Sequence, residues 1–188
     1  MLWVVLAAYA LQACGSTSSP PAPMPPTGMA CGEERWAVKT LSDAEATRVD
    51  VTHAIPTTVT ALNALTPRCS GLPDARSFAE EFQTFEVTGR VSATREEDDR
   101  DIHVVLADLA DPGQTIITEV VDPTCFGAVQ SPFLSLLTSA RSQYQGLSPL
   151  TGKTVRVRGV GFYDFNHGQT DRSRSCIELH PVLSISVN

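Results

Sequence analysis

Apolar and polar positions alternate with a period of two over Phe85, Val87, Gly89, Val91 and Ala93, which are separated by Glu86, Thr88, Arg90 and Ser92. That period predicts a strand with one buried face. The charged run from Arg95 to Arg100 reads as a solvated turn. Asp101 to Asp108 reads as a second strand with Ile102, Val104 and Leu106 inward, and Asp111-Pro112-Gly113 as the next turn. Gln114 to Val121 makes a third strand. The period then changes. Ser131 can cap a helix, Pro132 suits its first position, Gly146 can stop it, and Phe133, Leu137, Ala140 and Tyr144 fall on one face. Lys153 to Phe165 is a fourth strand in which Gly159 and Gly161 suggest a bend or bulge. Ile177 to Val187 is a fifth, with Ile177, Leu179, Leu183, Ile185 and Val187 on one face. Three strands, a helix and two strands is the order of a five-stranded OB-like Greek-key barrel, mainly β in an α+β chain. A different α+β fold on an antiparallel sheet satisfies the same order.

The barrel is expected over residues 81–188, with residues 31–80 as an extension packed on it. Within the extension, residues 34–40 read as extended. Ser42-Asp43-Ala44-Glu45 has the form of a capping box. Val59, Leu62 and Leu65 predict a short helix over 57–65, closed by Thr66-Pro67. Residues 70–80 read as loop.

The first residues have a different character. Leu2 to Ala10 form an apolar run that is short of the roughly 20 residues a bilayer span needs, and Leu11-Gln12-Ala13-Cys14 follows it. The run resembles a bacterial lipoprotein signal with its lipobox, without the usual basic residue in front. The resemblance implies cleavage after residue 13, a lipid on Cys14, and attachment to the inner or outer membrane of a cell envelope. Residues 14–30, rich in proline and serine and free of charge, read as a semi-rigid tether. About 160 residues then remain, enough for one domain that folds without a metal. The net charge of −7 argues against nucleic acid as a general partner. With Cys14 lipidated, Cys31, Cys69, Cys125 and Cys176 remain, an even number that predicts two disulfides. Three connectivities are open; Cys31–Cys69 with Cys125–Cys176 is the expected one, stapling the extension and the barrel separately.

Three segments carry a broader likeness: Glu34-Arg35-Trp36-Ala37-Val38-Lys39-Thr40 with Asp43; Asp101-Ile102-His103-Val104-Val105-Leu106; and Gly161-Phe162-Tyr163-Asp164-Phe165 through His167-Gly168-Gln169-Thr170 to Ile177-Glu178-Leu179-His180-Pro181-Val182. In these the chain resembles a group of secreted bacterial proteins of undefined function. The resemblance implies an exported domain and no particular chemistry. The chain departs from it at Asp171-Arg172-Ser173-Arg174-Ser175-Cys176, where a loop rich in glycine, proline and asparagine is implied.

Two functional readings follow. The first is a non-catalytic binding module. The loop between the fourth and fifth strands is a customary ligand position in OB folds. It offers His167, Gln169, Arg172 and Arg174, with the aromatic Tyr163 just before them. These groups suit an oligosaccharide, a peptide or another envelope protein. The second is a metal-dependent hydrolase. Glu178 and His180 share a strand face, expected to be the solvated one, and with His167 could hold Zn²⁺ with a position open for water. Asp101 and His103 also share a face, read as an exposed strand edge. On this reading His103 and His180 lie two strand spacings apart, about 10 Å, so that one ion does not join them. No cofactor is otherwise implied, and no nucleophile–base motif is present.

Overall fold

A computed structural model describes residues 31–32, 34–166 and 168–188. The lipobox with Cys14, and His167, lie outside the described residues. Six strands form in chain order: β1 (Asp50–Thr57), β2 (Gln83–Glu96), β3 (Ile102–Ala107), β4 (Thr115–Val120), β5 (Thr154–Tyr163) and β6 (Ile177–Val187). Three helices, α1 (Trp36–Lys39), α2 (Val59–Asn63) and α3 (Leu134–Leu147), complete the main elements. Strands β2, β3, β4, β6 and β5 pair in that order, and β5 returns to β2, closing a barrel. The β4–β6 contact is parallel, through Thr118 and Leu179. The other barrel contacts are antiparallel. With α3 between β4 and β5, this is the expected OB-like barrel.

The inside of the barrel is the apolar face of each alternating strand. Val87, Ile102, Val104, Leu106, Ile116, Val120, Val155, Val157, Ile177 and Leu179 belong to one buried cluster. The bend in β5 is present. Its register against β6 shifts on either side of Gly159. A methyl group on Gly161 would run into the carbonyl oxygen of Glu80 and come within 2.9 Å of Phe85 Cε2. Helix α3 buries Leu137 and Ala140 against the barrel, and Gln143 Oε1 accepts from Ile185 N at 2.9 Å. It begins two residues beyond its expected start. The hydroxyl of Ser131 still accepts from Phe133 N (3.2 Å), but it donates to Leu41 O (2.8 Å), which ties the helix entry to the extension.

The extension differs from expectation in two elements. Residues 36–39 are helical rather than extended. Arg35 adopts φ 56°, which turns the chain sharply into α1 and sends the guanidinium inward. A single helical turn is too short to display a 3.6-residue period. Strand β1 was not legible. It pairs in parallel with β2, from Ala54 opposite Thr84 to Thr57 opposite Val87, while much of it stays exposed. A strand with neither face fully buried shows no alternation. Helix α2 forms as expected, with Thr58 Oγ1 accepting from Ala61 N at 3.0 Å.

The disulfides are Cys31–Cys125 and Cys69–Cys176, so the expected connectivity is wrong. Neither bridge is confined to the extension or to the barrel; each joins one to the other. The backbone explains the exchange for Cys69. Its neighbour Arg68 donates from N to Ser175 O at 3.0 Å, and Asn166 N donates to Cys69 O at 3.2 Å, which lays residues 68–69 along the β5–β6 loop beside Cys176. Around the outside of the barrel, Leu41, Ala46 and Val49 of the extension form a second apolar cluster with Val121, Val160 and Leu183. The outward face of β4, β5 and β6 is therefore a covered surface.

Candidate functional site

Beneath that cover lies a cluster of ionisable side chains from three strands and the turn before β3. Alternation along β3, β4 and β6 turns His103, Glu119, Glu178 and His180 outward from the barrel, away from the Ile102, Val104, Val120, Ile177 and Leu179 core. Register then assembles them. His103 lies directly opposite Glu119, and Thr118 pairs with Leu179, which sets Glu119 beside His180. Asp101, at the entry to β3, completes the group.

Glu119 is the hub. Its Oε1 lies 2.8 Å from His103 Nε2, and its Oε2 lies 3.3 Å from His180 Nδ1. The other ring nitrogen of His180, Nε2, is 3.2 Å from Asp101 Oδ2. Asp101 Oδ1 accepts from Asp122 N at 2.8 Å, and His103 Nδ1 lies 3.1 Å from Glu97 Oε1. The Phe162 ring packs on His180, centroids 5.4 Å apart, and Lys39 Nζ stands 5.6 Å above the same phenyl ring.

Burial is close to complete: Asp101 and His180 are 0% exposed, and Glu119 and Glu178 are 2% exposed. The expectation that Glu178, His180 and Asp101 sit on solvated faces is therefore wrong. The outward side of an OB barrel is normally wet, but here residues 35–49 lie across it. The separation expected between His103 and His180 is also misleading. Glu119 occupies the strand between them and touches both.

Burial and charge set the protonation of the group. Burial raises the Glu178 carboxyl well above the usual carboxylate range, and Glu119 and Asp164 raise it further. Burial also pushes Glu119 up, but His180 and His103 outweigh it and hold Glu119 well below the usual carboxylate range. His180 is disfavoured as a cation by burial, yet Glu119 and Asp101 raise it to about 9. Burial raises Asp101 against the pull of His180. Lys39 is held above its ordinary value, burial being overcome by Glu119, Asp164, Glu178 and Asp99.

The cluster opens at one side to a cleft of about 700 Å³. Glu97, Asp98 and Asp99 of the β2–β3 turn line it, as do Asp164 and Gln169 of the β5–β6 loop, Glu34 and Lys39 of the extension, and His103 and Glu119 from the barrel wall. These two loops flank the usual ligand position of an OB fold.

The expected ligand residues of the β5–β6 loop are not gathered there. Gln169 lines the cleft and donates from Nε2 to Asp164 Oδ2 at 3.1 Å. Arg172 Nη1 instead donates to Cys176 Sγ (2.9 Å) and Ser173 O (3.3 Å). Arg174 is exposed, and its backbone N donates to Asn63 Oδ1 at 2.7 Å. Tyr163, expected as a contact residue, is fully buried with its ring edge-on to Phe78. One residue earlier along the strand would point outward; Tyr163 has the inward parity of a core residue. Sequence reasoning passed over Glu119, Lys39 and the acidic turn. Glu119 had a signal, as the one charged residue in the apolar strand Thr115–Val120.

No family model matches the chain, and no curated protein matches it. Among solved structures it is similar to one described as the crystal structure of an aspartyl-tRNA synthetase from Leishmania major Friedlin, with a TM-score of 0.39 and 19% identity. The alignment covers 73% of this chain and 22% of that one, so this chain spans about a fifth of that protein's length.

Proposed function

We propose that this protein is a lipid-anchored component of a bacterial cell envelope whose OB-like barrel is a non-catalytic binding module, and that the acidic cleft is its ligand site. The lipobox-like run ending at Cys14, the resemblance to secreted bacterial proteins and the two disulfides support the placement. The observation that carries the binding reading is the cleft's lining. Glu34, Glu97, Asp98, Asp99, Glu119 and Asp164 surround about 700 Å³ at the usual OB ligand position, against Lys39 and His103. A concave surface of one sign concentrates its field and selects cations. The ligand is accordingly a basic segment of a peptide or envelope protein, and nucleic acid is repelled.

Calorimetric titration of the full chain with a lysine-rich peptide tests this. Binding is expected at low salt and should weaken as salt rises. The double substitution Asp98→Asn, Asp99→Asn should weaken it about five- to tenfold. Binding that is absent at low salt, or that the double variant leaves unchanged, would overturn the reading.

A further inference from the structure

Behind the cleft wall, Asp101, Glu119 and His180 each present one ligating atom, and the three atoms lie within 4.8 Å of one another. Glu119 and His180 come from neighbouring strands paired in the barrel ladder, and Asp101 from the residue just before β3. All three side chains are more than nine-tenths buried. Yet Asp101 Oδ2 and both ring nitrogens of His180 make no directed hydrogen bond, although they lie 3.2–3.3 Å from neighbours of opposite charge. Buried polar atoms are normally hydrogen-bonded, so Asp101 Oδ2 and a ring nitrogen of His180 are left available to a ligand.

The remaining oxygens are occupied in the manner of a supporting layer. Asp122 N holds Asp101 Oδ1, and His103 Nε2 holds Glu119 Oε1, itself backed by Glu97. Such partners orient ligands around metal ions. The charge balance leaves room for a cation. Asp99, Asp101, Glu119 and Asp164 supply carboxylates around Lys39 and His180.

We propose that Asp101, Glu119 and His180 bind one divalent transition-metal ion of the zinc class. The ligand set, two carboxylates and an imidazole, suits zinc or its neighbours, whereas calcium takes six to eight oxygens. Bond lengths of about 2.0–2.2 Å draw the three atoms together by about an ångström. The ion enters from the cleft, whose wall Glu119 lines, and a fourth position remains for water or for a group of a bound ligand. The site shares Glu119 with the cleft lining but does not rest on the peptide-binding reading, and it differs from a set built on His167 and Glu178 in taking its carboxylates from Asp101 and Glu119.

The test uses the full disulfide-bonded chain, stripped with chelator and dialysed to equilibrium against zinc. One zinc per chain is expected, with a zinc-dependent shift of the His180 imidazole nitrogen signals. Cobalt in place of zinc should give the visible bands of a low-coordinate ion. Asp101→Asn should lower zinc affinity at least about tenfold. Asp98→Asn, in the turn above, should leave zinc uptake unchanged while weakening the lysine-rich peptide. Zinc well below one per chain, or zinc retained in full by a folded Asp101→Asn chain, would overturn the site. Should Asp101→Asn fail to fold, the wild-type imidazole signals decide: a zinc-loaded chain with unmoved His180 signals also refutes it. Loss of peptide binding with zinc retained counts against the cleft reading alone.

Discussion

Single side chains join the extension to the barrel. Arg35 donates to Glu81 Oε1 (2.7 Å), Tyr163 O (2.6 Å), Pro73 O (2.8 Å) and Ala75 O (3.1 Å), with both charged side chains fully buried. A buried pair this well hydrogen-bonded fixes one arrangement, and removing either partner strands a charge. Asp108 does similar work at the opening of α2. Its carboxylate accepts from Thr60 N (2.9 Å), Ala110 N (2.9 Å) and Asp111 N (3.2 Å). Burial pushes this carboxyl up, but the three backbone donors prevail and its folded value lies below the ordinary 3.8. A carboxyl depressed on folding stabilises the native state above its unfolded value, and that contribution is lost as pH falls through the folded one. Asp108→Ala should therefore cost about 1–3 kcal/mol in urea unfolding at neutral pH. The gap to wild type should narrow as the pH drops below about 4.

At the scale of elements, strands with one apolar face were legible and elements without one were not. The barrel strands, α2, α3 and the β5 bend follow from period and punctuation. Strand β1, half-exposed along its length, and α1, a single turn, carry no period to read. The site failed for a related reason. Outward parity on β3 and β6 was read correctly, but outward was equated with wet, and the cover by residues 35–49 is a long-range contact that no local pattern announces. Cys125 paired with Cys31 rather than Cys176 for the same cause. The tightness of the β5 bend has a measurable consequence. Gly161→Ala places a methyl group against Glu80 O and Phe85, where backbone and ring must both move. A loss of about 1–3 kcal/mol is expected, read as a lower thermal midpoint.

The whole molecule is a barrel wearing its own N-terminal segment. Two disulfides of sequence separation 94 and 107 bind that segment to it, as expected of a chain in an oxidising compartment. Among the described residues no helix is long and apolar enough to cross a membrane. The Cys31–Cys125 bridge sits at the rim of the cleft, since Cys31 lines it. Replacing that pair by serine should cost about 2–5 kcal/mol. It should also speed amide exchange in residues 34–49 more than in β3 and β4, which the barrel ladder protects.

That bridge also decides how the protein bears force. A pull arriving along the chain from before Cys31 passes through the sulfur–sulfur bond into Cys125, just beyond β4, and from there into the barrel wall. The peptide path through α1, Arg35 and the cover over the buried histidines is short-circuited. Tension on the leading end would tug on a closed cylinder of strands, while the segment that roofs the cluster stays slack.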